Sequence, residues 1–245
     1  MPTPVVTWLS AGLDEVPRSD DWMEPALAER LSRMRFTKRS SEAKLGRWTA
    51  KQAVARTLGM PTSAEVLAGI RIVNALDGAP EVMLDDGSFS GVIAMTDRAD
   101  WAVCSVLRGR GRIGCDLEVV EPRSPAFIAD YLTKPEQDSV LAATEPDLAA
   151  NLIWSAKESA LKVLRTGLRR DTRSVEVEFA EPDGRPWHRL HIRDRSGQRF
   201  SGWWARFGEF VLTVATSEPQ PPPDALVDPP ALRTGSPSHN WLHKL

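Results

Sequence analysis

Four charged residues in two short segments have the types and spacing of a site for phosphate chemistry. Asp116 and Glu118 alternate with apolar residues, which predicts a strand over residues 113–119 with both carboxylates on one face. Glu158 and Lys162 are spaced i, i+4 in a segment with helical periodicity, so they share a helix face. Mg²⁺ is held by a few carboxylates together with substrate phosphate oxygens and water. The two segments therefore predict phosphoryl-group chemistry.

Each segment also has a purely structural interpretation. An Asp-x-Glu pair is common on exposed strand edges, and a Glu-to-Lys pair at i, i+4 is an ordinary surface pair that contributes about 0.2–0.5 kcal/mol. Against the first interpretation, like charges on one side of a strand repel each other and favour a cation between them. The second stays open on the pattern alone, because Glu158 and Lys162 lie well round the helix from its apolar stripe.

Two motifs in this order and spacing carry a family resemblance: Gly-x-Asp-x-Glu over residues 114–118 and Trp-Ser-x-Lys-Glu-Ser-x-x-Lys over residues 154–162. Together they resemble the 4′-phosphopantetheinyl transferases, in particular the larger type made of two similar halves in one chain. The matching features run over about residues 30–180. The resemblance implies Mg²⁺-dependent transfer of phosphopantetheine from coenzyme A to a serine of an acidic acyl, peptidyl or aryl carrier protein, with release of 3′,5′-ADP. The carrier of a fatty-acid, polyketide or non-ribosomal peptide pathway fits equally well.

The resemblance also implies roles for individual residues. Asp116, Glu118 and Glu158 would be the Mg²⁺ ligands. Lys162 would contact the phosphates, and Lys157 would be a further phosphate contact. Lys162 and the metal would then stabilise the charge on the phosphates during transfer.

Glu136 has two interpretations. Thr-x-x-Glu over residues 133–136, with proline in the first turn, is a capping box that explains these residues structurally. The same segment resembles a short family motif whose glutamate has been proposed to activate the carrier serine. Glu136, Glu158 and a water on the metal therefore remain the candidate bases.

The same resemblance implies that the N-terminal half binds the nucleotide end of coenzyme A. Arg47 matches a family position for the 3′-phosphate, and Thr96 and Arg98 are further candidates. Two residues depart from the family pattern, since Asp97 replaces a histidine and Ala79 replaces a lysine. An aspartate repels phosphate, so Arg98 is expected to supply the positive charge.

Two other functions stay open on the sequence. One is a non-catalytic module that binds coenzyme A or a carrier protein, which the altered segment at residues 96–98 favours. The other is an unrelated Mg²⁺-dependent phosphohydrolase. The intact acidic motifs and Lys162 argue against the binding module.

Composition narrows the class of protein further. The 245 residues are 42% hydrophobic, with 31 basic against 33 acidic residues and a net charge of −2, which gives no reason to expect nucleic acid as a partner. Cys104 and Cys115 lie in apolar runs with no metal-binding spacing, so we expect buried, reduced thiols. No signal sequence or membrane-spanning segment is evident, so we expect a cytoplasmic protein without membrane contact and, as a single-chain pseudo-dimer, a monomer.

The predicted elements fall into two α+β halves, residues 1–108 and 109–217, joined at a glycine- and arginine-rich turn over residues 108–112. Helices are predicted over residues 22–58, with an interruption near residues 37–41, and over residues 126–165; each stretch is followed by short strands. No sequence identity between the halves is evident, so the pseudo-dimer with its active site in the intervening cleft rests on the resemblance. Residues 218–245 are proline-rich and are predicted to be a flexible tail, on which docking of Trp241 and Leu242 is not expected.

Overall fold

The N-terminal half folds as a strand, three helices and four further strands. The structure is a computed structural model, and it describes residues 5–87 and 89–237. The elements of this half are β1 (Val6–Gly12), α1 (Pro25–Ser32), α2 (Thr37–Thr57), α3 (Ala64–Ala68), β2 (Arg71–Asn74), β3 (Pro80–Met83), β4 (Gly91–Arg98) and β5 (Trp101–Arg108).

The C-terminal half has the same succession of a strand, three helices and four strands, followed by a short tail. Its elements are β6 (Ile113–Val119), α4 (Pro125–Tyr131), α5 (Lys134–Ala142), α6 (Pro146–Val163), β7 (Val175–Phe179), β8 (His188–Asp194), β9 (Arg199–Phe207), β10 (Phe210–Thr216), β11 (Asp224–Ala225) and α7 (Pro230–Thr234). None of the helices in the described residues is both long and apolar enough to cross a membrane. The predicted mixed α+β class is confirmed.

Two sheets lie back to back at the centre of the fold. Their strand orders are β11–β1–β5–β4 and β6–β10–β9–β8–β7, while β2 and β3 form a separate hairpin. One apolar core fills the space between the sheets, with Trp8, Leu117 and Phe210 among its members. Two others lie outside them, beneath α1–α3 on the first sheet and beneath α4–α6 on the second. Strand β6 is buried along its whole length, because α6 covers one face and β4 packs against it from the first sheet.

The two long helices share a short sequence and the same kind of buried ion pair. Trp-Thr-Ala-Lys at residues 48–51 of α2 is matched by Trp-Ser-Ala-Lys at residues 154–157 of α6. Lys51 and Lys157 are both completely buried. The Nζ of Lys51 lies 2.5 Å from a Glu24 carboxylate oxygen, and that of Lys157 lies 2.8 Å from one of Glu136. The strand order β1–β5–β4 likewise recurs as β6–β10–β9.

The segment after β10 packs against the fold over residues 218–237, whereas its composition predicts a flexible tail. Strand β11 pairs in parallel with β1, and the backbone N–H of Leu226 donates to the carbonyl of Trp8. Leu232 of α7 is fully buried in the core between the sheets. The apolar contacts of Leu232 and the pairing of β11 with the edge of β1 therefore order this stretch. Neither interaction can be predicted from amino-acid composition. Residues 238–245, with Trp241 and Leu242, lie outside the described residues.

Candidate active site

A glycine allows α6 to lie directly on the acidic strand. Cys115 and Leu117 of β6 belong to the core between the sheets, so the alternating residues Gly114, Asp116 and Glu118 face α6. A Cβ atom at Gly114 would lie 1.9 Å from the backbone oxygen of Ser159. The glycine of the first motif is thus required for the close approach of the helix that carries the second motif.

Asp116 is the centre of the candidate site. Its Oδ1 accepts hydrogen bonds from the Nζ of Lys162 at 2.9 Å and from the Oγ1 of Thr96 at 3.1 Å. Lys162 also donates to the carbonyl of Cys115 at 2.7 Å. Burial disfavours the charge on Lys162, but the Asp116 carboxylate outweighs burial and raises the pKa of Lys162. The structure therefore brings together residues predicted from both motifs and from β4.

Glu158 lies one helical turn before Lys162, and one oxygen of its carboxylate has no hydrogen-bond partner. Its Oε1 is buried without a hydrogen-bond partner, as is the Oδ2 of Asp116. Burial, followed by repulsion from Asp116, raises the pKa of Glu158 to about 7. Asp116 and Glu158 thus each present a buried carboxylate oxygen without a hydrogen-bond partner, which is an arrangement that a cation could satisfy.

Glu118 is held more tightly than the other two acids. Its Oε1 accepts from the indole N–H of Trp154 at 2.9 Å. Its Oε2 is 3.0 Å from a terminal guanidinium nitrogen of Arg123 and 3.2 Å from the Nε of Arg98. Burial and the neighbouring charge of Asp116 still raise the pKa of Glu118, against the opposing effect of the two arginines.

The three predicted metal ligands do not form a closed set of ligands as they stand. Within residues 5–87 and 89–237, no group of three His, Cys, Asp or Glu side chains is arranged to hold a metal ion. The donor chemistry nevertheless fits Mg²⁺, because Asp116 and Glu158 each retain a free oxygen. Glu118 also retains capacity, since each carboxylate oxygen accepts about two hydrogen bonds and its Oε1 accepts one.

A cavity of about 960 Å³ opens beside this cluster. Ala79, Met95 and other residues of β3 and β4 line it from the N-terminal half, and Lys162 and Arg165 line it from the C-terminal half. Arg165 closes part of its rim by pairing with Asp77 and with Glu81, each at 3.0 Å. The cavity is thus bounded by both halves and reaches the lysine of the site.

The predicted nucleotide contacts have protein partners in this structure. Arg98 of β4 bridges Glu118 and Glu121, with its contact to Glu121 at 2.8 Å. Arg47 donates to the side-chain oxygen of Asn74 at 2.8 Å and contacts the sulfur of Met95, which lines the cavity. Burial lowers the pKa of Arg47. The cavity therefore lies next to Arg47, whereas Arg98 is held between the acids Glu118 and Glu121.

Asp97 is the residue that the resemblance aligns with a family histidine. Burial is the main cause that raises the pKa of Asp97, and repulsion from Glu42 adds to it.

Two predicted site residues do not reach the cleft. Lys157 is completely buried, and its Nζ donates to the carbonyls of Thr172 and Val175 besides pairing with Glu136. Glu136 accepts from the backbone N–H groups of Thr133 at 2.7 Å and Val177 at 2.9 Å. The structure thus corrects the prediction of a phosphate contact at Lys157, and for Glu136 it has the capping box rather than a base in the cleft.

Sequence reasoning missed three residues around Glu118. Arg123 and Glu121 follow β6 in an irregular segment, and Asn151 lies on α6. The sequence held one signal for Asn151, because it precedes Glu158 by two helical turns and so shares its face. Nothing in the local sequence distinguishes Arg123 from the other arginines.

Fold and site together define an α+β protein with a cluster of acids and a lysine beside a cavity bounded by both halves of the chain. Residues 112–215 match the family model of the 4′-phosphopantetheinyl transferase superfamily. The match covers less than half of the chain and confirms the resemblance drawn from the paired motifs.

Solved structures and curated proteins add little to this assignment. The Thermotoga maritima holo-[acyl-carrier-protein] synthase is 21% identical over 43% of this chain and 61% of its own length, with a TM-score of 0.34. The Bacillus anthracis holo-(acyl-carrier-protein) synthase in complex with CoA (3′,5′-ADP) is 18% identical over 43% of this chain and 96% of its own, with a TM-score of 0.35. Scores this low carry no argument, and no curated protein matches the chain.

Proposed function

We propose that the protein transfers the 4′-phosphopantetheine group of coenzyme A to a serine of an apo carrier protein, with Mg²⁺, and releases 3′,5′-ADP. The observation that carries the proposal is the contact of Lys162 with Asp116, beside the unpaired oxygen of Glu158, at a cavity bounded by both halves. The match of residues 112–215 to the superfamily supports the same reaction.

The chain is, on this proposal, a pseudo-dimer with one working site. The recurring strand order and the shared Trp-x-Ala-Lys sequence with its buried Lys–Glu pair support a duplication. The position of Glu158 in α6 corresponds to Gln52 in α2, directly after each shared sequence. Because a neutral amide replaces the carboxylate, the N-terminal half does not form a second site of the same kind.

The chemistry follows from the side chains at the cavity. Lys162 neutralises charge on the pyrophosphate of coenzyme A. Asp116, Glu118 and Glu158 would hold Mg²⁺, which would supply further neutralisation of the phosphates. The serine oxygen forms a bond to the β-phosphorus, the bond from that phosphorus to the bridging oxygen breaks, and 3′,5′-ADP leaves. The hydroxyl proton passes to Glu158, whose carboxylate lies at the cluster.

The nucleotide and the carrier lie, on this proposal, on different sides of the cluster. Arg47 and the cavity-lining residues of β3 and β4 hold the 3′,5′-ADP end of coenzyme A. Thr96 fixes Asp116 through its hydroxyl group, and Arg98 stays at the ligand Glu118. On this proposal, an acidic carrier protein presents its serine from the side of the cluster that faces away from the nucleotide cavity.

Intact-protein mass spectrometry tests the proposal. An apo acyl or peptidyl carrier protein is incubated with the protein, coenzyme A and Mg²⁺, with and without a chelator. The expected result is one phosphopantetheine on the carrier, lost on chelation and with Lys162→Ala. Arg185→Ala is the matched control, because Arg185 lies on an exposed loop, where it pairs with Asp183.

Other outcomes separate the alternative functions. Binding of coenzyme A without transfer to any of several carriers would favour a binding module. Loss of phosphopantetheine from coenzyme A without a carrier would favour a phosphohydrolase. Either result would overturn the proposed transfer.

A further inference from the structure

We propose that Asn151 is a positioning residue for the metal ligand Glu118 and acts on it through Arg123. This inference rests on the proposed function and deepens it, because it names what holds one ligand of the proposed Mg²⁺ site. Asn151, Arg123 and the Glu118 carboxylate are joined by consecutive hydrogen bonds of 2.6 and 3.0 Å.

The first link fixes the orientation of the Asn151 amide. Its Nδ2 donates to the carbonyls of Glu121 at 2.7 Å and Asp147 at 2.8 Å, so its Oδ1 must face the Nε of Arg123 at 2.6 Å. A flipped amide would oppose oxygen to two carbonyls and N–H groups to a guanidinium. Asn151 is completely buried, so water does not replace these bonds.

The second link fixes Arg123. Its guanidinium group lies 4.8 Å from the ring centroid of Phe127 and is 15% exposed, so the side chain is packed as well as hydrogen-bonded. With its Nε held by Asn151, a terminal nitrogen is aimed at the Oε2 of Glu118. A planar guanidinium group transmits this orientation because its donors have a fixed relative geometry.

The opposite oxygen of Glu118 is held from the same helix. Trp154 donates to its Oε1 and lies three residues after Asn151 in α6. Glu158, a further proposed ligand, follows Trp154 by four residues on the same face. One face of α6 therefore supplies a proposed ligand directly and orients another through Trp154 and Asn151.

Direct metal binding is the test, with Mn²⁺ as the probe. Free Mn²⁺ is measured by electron paramagnetic resonance in the presence of coenzyme A. We expect Asn151→Leu and Arg123→Gln each to raise the Mn²⁺ dissociation constant about tenfold or more, as loss of a partner that orients a ligand does elsewhere. The Mg²⁺ concentration for half-maximal transfer should rise in parallel, while the KM for the carrier stays unchanged.

The double variant distinguishes positioning from a general loss of structure. If Asn151 acts through Arg123, the double variant should bind Mn²⁺ no more weakly than Arg123→Gln alone. Val140→Ala is the control, because this buried residue of α5 packs in the apolar core outside the second sheet. It should lose stability without a change in Mn²⁺ affinity.

The contrary results are equally distinct. Unchanged Mn²⁺ affinity in folded Asn151→Leu, or effects of the two substitutions that multiply, would overturn the relay and leave the transferase intact. If Asn151→Leu fails to fold, the Mn²⁺ affinity of Arg123→Gln tests the proposal instead. This variant should fold, because the side chain of Arg123 is partly exposed. A wild-type protein that binds no Mn²⁺ would overturn the proposed metal site and the relay together.

Discussion

The Nζ of Lys157 lies 2.8 Å from the Oε2 of Glu136, and both side chains are closed off from solvent. Burial lowers the pKa of Lys157, and the charge of Glu136 opposes that effect. The pair fastens α6 to α5 and, through Val177, to β7. It therefore orients the helix that carries Glu158 and Lys162 without reaching the cleft.

Glu136→Gln tests whether this pair is structural. Removing one charge of a buried pair leaves the other uncompensated, so we expect a loss of about 3 kcal/mol in unfolding free energy by urea titration. At a temperature where the variant is folded, kcat should stay within about threefold of wild type. A stable variant with kcat lowered by about 10² or more would instead identify Glu136 as the base.

Gly114→Ala should disrupt the site by displacing a helix. The added Cβ would meet backbone atoms of Ser159, which cannot move away alone, so we expect a loss of at least about 3 kcal/mol. Gly69→Ala is the control, because its new Cβ would have its nearest contact at an ordinary 3.5 Å. Thermal unfolding of both variants measures the difference, and equal melting temperatures would contradict the close packing of α6 on β6.

Asp194 should govern part of the acid sensitivity of folding. Burial alone would raise its pKa, but hydrogen bonds from Ser196, Arg170 and Gln198 outweigh burial and lower the pKa. A lowered pKa in the folded state contributes stability above the ordinary value of about 4 and loses it as the pH falls through the folded value.

Asp194→Asn should therefore be less stable than wild type at pH 7, by about 1–3 kcal/mol. The gap should narrow as the pH falls below about 4, because both proteins are then uncharged at this position. Urea unfolding across the range from pH 7 to low pH measures the gap, and a constant difference would contradict the assignment.

Leu232→Ala tests whether the tail is part of the fold. Leu232 is fully buried among residues of both sheets, so truncation should cost about 2–5 kcal/mol. Val227→Ala, on the same segment at 46% exposure, should change stability by less than about 0.5 kcal/mol. Equal, negligible effects of the two substitutions on stability would contradict the packing of this segment and support the flexible tail that the composition predicts.

The sequence predicted the strands well where alternation was strong. Residues 113–119 were predicted and are found as β6, because four apolar residues alternate with the motif there. The break between α1 and α2 lies at residues 33–36 rather than near 37–41, since Phe36 adopts an extended conformation at the start of α2. Phe36 begins the helix through its backbone conformation and has no side-chain capping hydrogen bond, so its residue type does not predict this helix start.

The acidic residues of the site could be predicted from the sequence, but the hydrogen bonds and ion pairs that connect them could not. Glu158 and Lys162 share a face, and neighbouring residues on a helix point about 100° apart, so Lys157 turns inward with Ile153 and Leu161. A motif match places Lys157 beside Glu158 without giving that direction. Contacts from distant segments, such as Arg98 with Glu118 across 20 residues, depend on sheet packing that no local pattern encodes.

The most direct test of the central claim counts products with and without Asp116. One reaction is analysed both for phosphopantetheine on the carrier serine and for free 3′,5′-ADP, with wild type, Asp116→Asn and the exposed control Asp183→Asn. We expect equal amounts of both products for wild type and the control, and none for folded Asp116→Asn. Undiminished, equimolar products from Asp116→Asn would contradict it.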